Sequence, residues 1–195
     1  IGRLVPQIVY YFYAYIKAVN QCEIKIGDKL NFTVPTGNFG DILAGYYAKC
    51  MGLPVNHFIC ASNNNKVLYD FFETGIYNKN REFHITISPS MDILISSNLE
   101  RFLCHTIGQQ KTKECMIKLQ KEGNYSIETI QNSEISGEYA TEQQTYTAIK
   151  QLYEQTGYVM DTHTAVAYAA YQKYKQKTKD DTPMVIVSTA SPYKF

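Results

Sequence analysis

Leu30-Asn31-Phe32-Thr33-Val34-Pro35-Thr36-Gly37-Asn38-Phe39-Gly40-Asp41-Ile42-Leu43-Ala44-Gly45-Tyr46-Tyr47-Ala48-Lys49-Cys50 is the stretch that decides the fold. Leu30 to Val34 alternates apolar and polar residues as a short strand does, and the glycines at 37 and 40 allow a sharp turn. Asp41 to Cys50 carries helix formers, Gly52 and Pro54 stop it, and Val55 to Ala61 supplies a second apolar run of strand length. A strand, turn, helix, strand unit favours parallel strands joined by a right-handed crossover, so an α/β fold on a parallel sheet is expected.

Upstream, Leu4 to Val19 reads as a packed aromatic-rich helix, with Tyr10, Tyr11, Phe12, Tyr13 and Tyr15 around Ala14. Pro6, Gln7 and Lys17 interrupt its apolar run, which is too short to span a membrane. Downstream, Asn63-Asn64-Asn65 is expected to cap a helix over Lys66 to Glu73 that Gly75 ends. His84 to Ile87 reads as a short strand, and Asn98 to Thr106 and Lys111 to Glu122 as helices joined around Gly108. Asn124 to Tyr139 is polar and weakly patterned, the mark of a variable surface region. Thr141 to Gln155 and Thr164 to Lys177 read as amphipathic helices, and Pro183 precedes a buried strand at Val185-Ile186-Val187.

Nineteen basic against eighteen acidic residues leave a formal charge of +1 with no basic stripe, which excludes nucleic acid as an expected partner. Five cysteines (22, 50, 60, 104 and 115) form an odd set without CxxC spacing, mostly in apolar runs, so reduced, buried thiols and a cytoplasmic setting are expected. No metal-ligand spacing occurs. The start at Ile1 shows no basic or cleavable leader pattern and reads as a chain cut from a longer polypeptide.

The turn Pro35-Thr36-Gly37-Asn38-Phe39-Gly40-Asp41 carries the most chemistry. Two glycines gather backbone N–H groups in front of a helix whose N-terminus is positive, an arrangement suited to a phosphate. The same pattern also serves as a tight turn whose glycines are steric. Asp41 stands where a helix cap is favoured, and Thr189 where a strand ends in polar residues. In Asp161-Thr162-His163-Thr164 the first two residues can cap a helix, which leaves His163 outside the catalytic candidates. Asp92, Asn98, Glu100 and Arg101 read as caps and surface ion pairs.

Five segments in order resemble those of bacterial and fungal threonine synthases. They are residues 33–54 with the PTGNFGD turn, Ser88-Pro89-Ser90-Met91-Asp92-Ile93, Ser97-Asn98-Leu99-Glu100-Arg101, Asp161 to Tyr168, and Ser188-Thr189-Ala190-Ser191-Pro192-Tyr193-Lys194-Phe195. The resemblance covers nearly the whole chain. It implies part of the three-layer parallel-sheet fold of the tryptophan-synthase-β-like, fold type II enzymes that use pyridoxal 5'-phosphate (PLP), with residues 1–195 a C-terminal, large-domain portion. The activity implied is conversion of O-phospho-L-homoserine and water to L-threonine and phosphate, by a monomer or homodimer with no membrane partner.

Carried over residue by residue, the resemblance assigns Gly37, Asn38, Phe39, Gly40 and Asp41 to the cofactor phosphate, with Asp41 as a cap, and Thr189 to the pyridine nitrogen. Arg3 resembles an arginine that holds the substrate phosphate, beside Asn38. The His-Gly-Pro-Thr-Leu-Ala-Phe-Lys-like motif that carries the family's covalent lysine does not occur. Lys49, Lys66 and Lys194 match no substitute for it, so no catalytic residue is assigned within the chain.

Overall fold

The computed structural model describes residues 2–128 and 134–194. Its centre is a four-stranded sheet built from β1 (Leu30–Pro35), β2 (Val55–Ser62), β5 (Ile135–Tyr139) and β6 (Met184–Ile186), in the order β5-β2-β1-β6. Every pairing is parallel, with Phe32 opposite Phe58 and Val185, and Cys60 opposite Gly137. Parallel strands are covered on both faces, which is why β1 is buried along its whole length.

Alternation along β1 and β2 sorts their side chains between two cores. Phe32, Val34, Phe58 and Cys60 face α1 (Leu4–Asn20), α2 (Gly40–Cys50) and α3 (Val67–Thr74). Ala61 belongs to a second core with the alanines of α7 (Thr162–Thr178), backed by Ala148 of α6 (Glu142–Thr156). The result is the expected three-layer α/β architecture. Beside it, β3 (Ile76–Asn78) and β4 (Asn124–Ser126) form an antiparallel pair, and α4 (Leu99–Ile107) and α5 (Gln109–Lys121) pack together, meeting at Gly108.

Glycine placement fixes the helix–sheet distance. A Cβ on Gly45 of α2 would stand 2.6 Å from the Tyr11 ring and 2.7 Å from the Phe58 ring, so α2 sits against an aromatic pair only because that Cβ is missing. Tyr11, Phe32 and Phe58 pack edge-on and stacked at 5.0 to 6.2 Å between ring centres.

Several expectations need correction. The polar stretch before Tyr139 contains β5, whose Ile135, Gly137 and Glu138 are buried; residues 129–133 of that stretch lie outside the described residues. Residues 84–87 are not a strand, because the His84 N–H and C=O are both taken by the Asn65 side-chain amide at 2.9 and 2.7 Å. Neither Asn63, Asn64 nor Asn65 caps α3; Lys66 is its first flanking residue and makes no side-chain cap. Asn63 and Asn65 instead donate to the Asp92 carboxylate at 2.8 and 3.1 Å, while Thr86 gives it both N–H and O–H. The final strand is half-buried. On α1, Tyr11 and Tyr15 are buried while Val5, Val9, Tyr10, Tyr13 and Ile16 are exposed. Cys22, Cys50 and Cys104 are exposed and Cys60 and Cys115 buried; all five thiols are free. Burial pushes the Cys60 thiol up to about 12.

Candidate functional site

In open parallel sheets, ligands bind beyond the carboxyl ends of the strands. There β1 runs into residues 36–39, β6 into residues 187–190, and a cavity of about 720 Å3 opens between them, within the size range of small-molecule sites. It is lined by Arg3, Gly37, Asn38, Gly40, Asp41 and Thr189, six of the seven residues named above, drawn from both ends of the sequence. Phe39 is the exception. Its ring lies fully buried against Phe72 and Phe102, and its backbone takes a left-handed φ of 65° to make that turn.

The turn is a cradle by construction. A Cβ on Gly37 would lie 2.9 Å from the Ser90 carbonyl oxygen and 3.1 Å from Met91 Cα, both backbone atoms, so only glycine lets the two segments meet. The Gly37 carbonyl accepts from Ser96 Oγ at 2.8 Å. Asn38 Oδ1 accepts from the Gly40 N–H at 2.8 Å, and the Leu43 N–H turns back to Phe39 at 3.2 Å. Of the first four N–H groups of α2, those of Asp41 and Ile42 have no hydrogen-bond partner among the described residues. Two unpaired donors at a helix N-terminus, beside a cavity, are an arrangement suited to an anion.

Asp41 does not cap α2. Phe39 holds the flanking position, and the Asp41 carboxylate is drawn toward α1, where the Tyr11 hydroxyl lies 3.1 Å from Oδ1 and 2.9 Å from the Asp41 carbonyl. Burial raises the Asp41 carboxyl above its ordinary range, with the Tyr11 hydrogen bond opposing, and pushes the Tyr11 hydroxyl well up. The Asp41 carboxylate is thus engaged by the Tyr11 hydroxyl on the α1 side.

Four further side chains or turns line the same cavity: Asn98, Arg101, His163 and the Ser90-Met91 turn. Asn98 caps no helix; it grips the Asn38 carbonyl through its own N–H at 3.0 Å and its Nδ2 at 2.9 Å, and its Oδ1 accepts from the Arg101 guanidinium. His163 is buried, and its Nε2 accepts from the Ser90 N–H at 3.2 Å. Burial holds its pKa below the ordinary histidine range against the pull of Asp161. The signal for these residues was present in the Ser97 to Arg101 and Asp161 to Thr164 segments, but reading them as caps hid their reach across the cavity. Lys194 also lines it. Lys49 lies elsewhere, paired with Glu134, and Lys66 lies against the Tyr139 ring. No helix is long and apolar enough to cross a membrane, and no metal-binding cluster occurs among the described residues.

Residues 164–195 match the family model described as threonine synthase, C-terminal. Threonine synthase-like 1 of Macaca fascicularis is 42% identical over all of this chain, which covers 27% of that relative. Threonine synthase of Schizosaccharomyces pombe is 37% identical, again over the whole chain and 42% of its own length. The crystal structure of PLP-bound threonine synthase from Brucella melitensis superposes with a TM-score of 0.88 at 38% identity, covering 98% of this chain and 41% of that one. The chain thus spans less than half the length of each of these proteins. Sequence along its whole length, fold and the C-terminal model agree in relating the chain to the threonine synthases, whose C-terminal family domain it carries at residues 164–195.

Proposed function

We propose that this chain is the C-terminal, large-domain portion of a PLP-dependent lyase acting on a phosphorylated amino acid. The preferred reaction is the conversion of O-phospho-L-homoserine and water to L-threonine and phosphate, in the cytoplasm. The observation that carries the reading is the convergence, at one end of the sheet, of a cradle with two unpaired helix N–H groups, two guanidinium groups and the Thr189 hydroxyl. The cradle suits the cofactor phosphate, since the Asp41 and Ile42 N–H groups stand unpaired beside the cavity and Gly37 lets the Ser90-Met91 turn close against it. When bound, PLP supplies the electron sink that makes substrate carbon acidity usable.

The residues divide the work by position. The Asp41 and Ile42 N–H groups hold the cofactor phosphate, and Asn38, fixed by Asn98, closes the cradle. The neutral Thr189 hydroxyl donates to the ring nitrogen, which limits the ring's charge. Arg3, just before α1, and Arg101 of α4 line the cavity and would hold the substrate phosphate dianion by paired hydrogen bonds. The covalent lysine comes from polypeptide outside these residues.

In the intact polypeptide, addition of PLP is expected to give a visible absorbance band, and O-phospho-L-homoserine to release phosphate. Arg3→Ala should raise KM about tenfold or more while cofactor affinity stays put, because a phosphate contact kept from ground to transition state is uniform binding. An unchanged KM would return Arg3 to the solvated surface. A second reading has one observation in its favour: the 42% identical macaque protein is named threonine synthase-like rather than threonine synthase. Turnover of other phosphorylated amino alcohols with none of O-phospho-L-homoserine would select it.

A further inference from the structure

We propose that Asp161 is the positioning residue of the cavity, a single buried carboxylate that ties together two of its walls, the Ser90-Met91 turn and the 188–190 segment. This rests on the reading of the cavity just given. Asp161 is 2% exposed and caps α7, its Oδ1 accepting the N–H groups of His163 at 2.9 Å and Thr164 at 3.1 Å. A cap needs no more than that one oxygen. The other contacts go beyond a cap and point toward the site.

The first arm runs through His163. Its Nε2 accepts from the Ser90 N–H, so the neutral ring carries its proton on Nδ1, which lies 3.4 Å from Asp161 Oδ1. Ser90 and Met91 are the residues whose backbone meets Gly37 face to face. The imidazole therefore sets the wall against which the phosphate cradle is folded.

The second arm runs through Thr164. Its hydroxyl donates to Asp161 Oδ2 and lies 3.1 Å from Ser188 Oγ; with its one proton given to the carboxylate, the Ser188 hydroxyl becomes the donor of that pair. Ser188 and Thr189 are exposed, so packing does little to hold them. The Thr164 contact and the Val187 N–H bond to the Thr33 carbonyl at 2.9 Å are what aim Thr189. One carboxylate thus sets the spacing between the phosphate end and the ring-nitrogen end of a planar ligand.

Asp161→Ser in the intact polypeptide separates this role from helix capping, because serine caps as well as aspartate but brings neither the carboxylate charge that faces His163 Nδ1 nor the second oxygen that takes the Thr164 proton. Expected are a nearly unchanged urea midpoint, exchange of the Ser90 amide hydrogen faster by about tenfold, and PLP affinity lower by about tenfold, the worth of one hydrogen bond to a charged group. Thr164→Val should weaken PLP binding with Ser90 exchange unchanged. Should Asp161→Ser fail to fold, His163→Leu should show the same two losses and His163→Gln, which can still present an acceptor to Ser90, should restore them. Unchanged Ser90 exchange in Asp161→Ser (or, if that variant fails to fold, in His163→Leu), or PLP affinity equal to wild type in the variants, overturns the proposal. A wild type that binds no PLP would sink the functional reading, and Ser90 exchange would still decide this one.

Discussion

Gly37 shows how one missing methyl group decides chemistry. Its virtual Cβ meets backbone on the opposing turn, and backbone cannot rotate away as a side chain can. Gly37→Ala is therefore expected to push the Ser90-Met91 turn outward and lower PLP affinity at least about tenfold, a loss comparable to one strong hydrogen bond, while the sheet survives. Titration of cofactor absorbance checks it, and unchanged affinity would mean the cradle is not the phosphate site. Asp92 is the structural counterpart, a carboxylate surrounded by donors from Asn63, Asn65 and Thr86. Asp92→Ala leaves the Thr86 N–H without its acceptor and Asn63 and Asn65 each with one acceptor fewer, all three being buried residues. It should lower stability by about 2–4 kcal/mol in urea denaturation, since unsatisfied buried polar groups carry their full desolvation cost.

Between helix and sheet, Gly45 makes the parallel prediction for packing. Alanine gains helix propensity of about 1 kcal/mol, yet its methyl would overlap two buried aromatic rings, and overpacking costs about 1–3 kcal/mol. Gly45→Ala should be destabilising on balance, and a raised thermal midpoint would show that α2 can slide. At the opposite end of the sheet, burial alone would raise the Asp180 carboxyl, but hydrogen bonds from Thr182, Asn31 and Tyr174 win and lower it from its ordinary 3.8 to about 2. Its stabilisation is present above about pH 4 and fades as pH falls through 2. The group is only partly buried, so Asp180→Asn should cost no more than about 1 kcal/mol at pH 7, and nothing below pH 2. Denaturation at both pH values tests this. Elements with a clean period, β1, α2, β2 and both long helices after residue 140, were legible in the sequence. The β5 segment was not, because Ser136, Gly137 and Glu138 read as surface; Gly137 is there for its close approach to Tyr69, and Glu138 reaches Lys177 at 3.9 Å from a buried position. Conversely, residues 84–87 have a strand's composition, but a side-chain amide has claimed the backbone that a neighbouring strand would need.

Over the entire chain, the cradle could be read from local sequence and Arg3 and Thr189 from the family resemblance, whereas Asn98, Arg101 and His163 reach the cavity only through the tertiary fold. The isolated 195 residues are expected to release no phosphate from O-phospho-L-homoserine and to yield no lysine adduct when reduced with borohydride in the presence of PLP. A stoichiometric adduct on Lys194, which lines the cavity, together with phosphate release, would show that this lysine has taken the missing role.

The pairing of β1 with β6 joins Thr33 to Ile186 across most of the sequence. During synthesis at about 5–20 residues per second, β1 therefore waits many seconds for its partner, with one hydrogen-bonding edge uncovered. Residue 189 follows three positions later, so the Thr189 wall of the cavity forms only once β6 has been made. Any contact from Thr189 to a cofactor is thereby postponed until β6 has paired with β1, and the unpaired β1 edge is the place where a chaperone would be needed first.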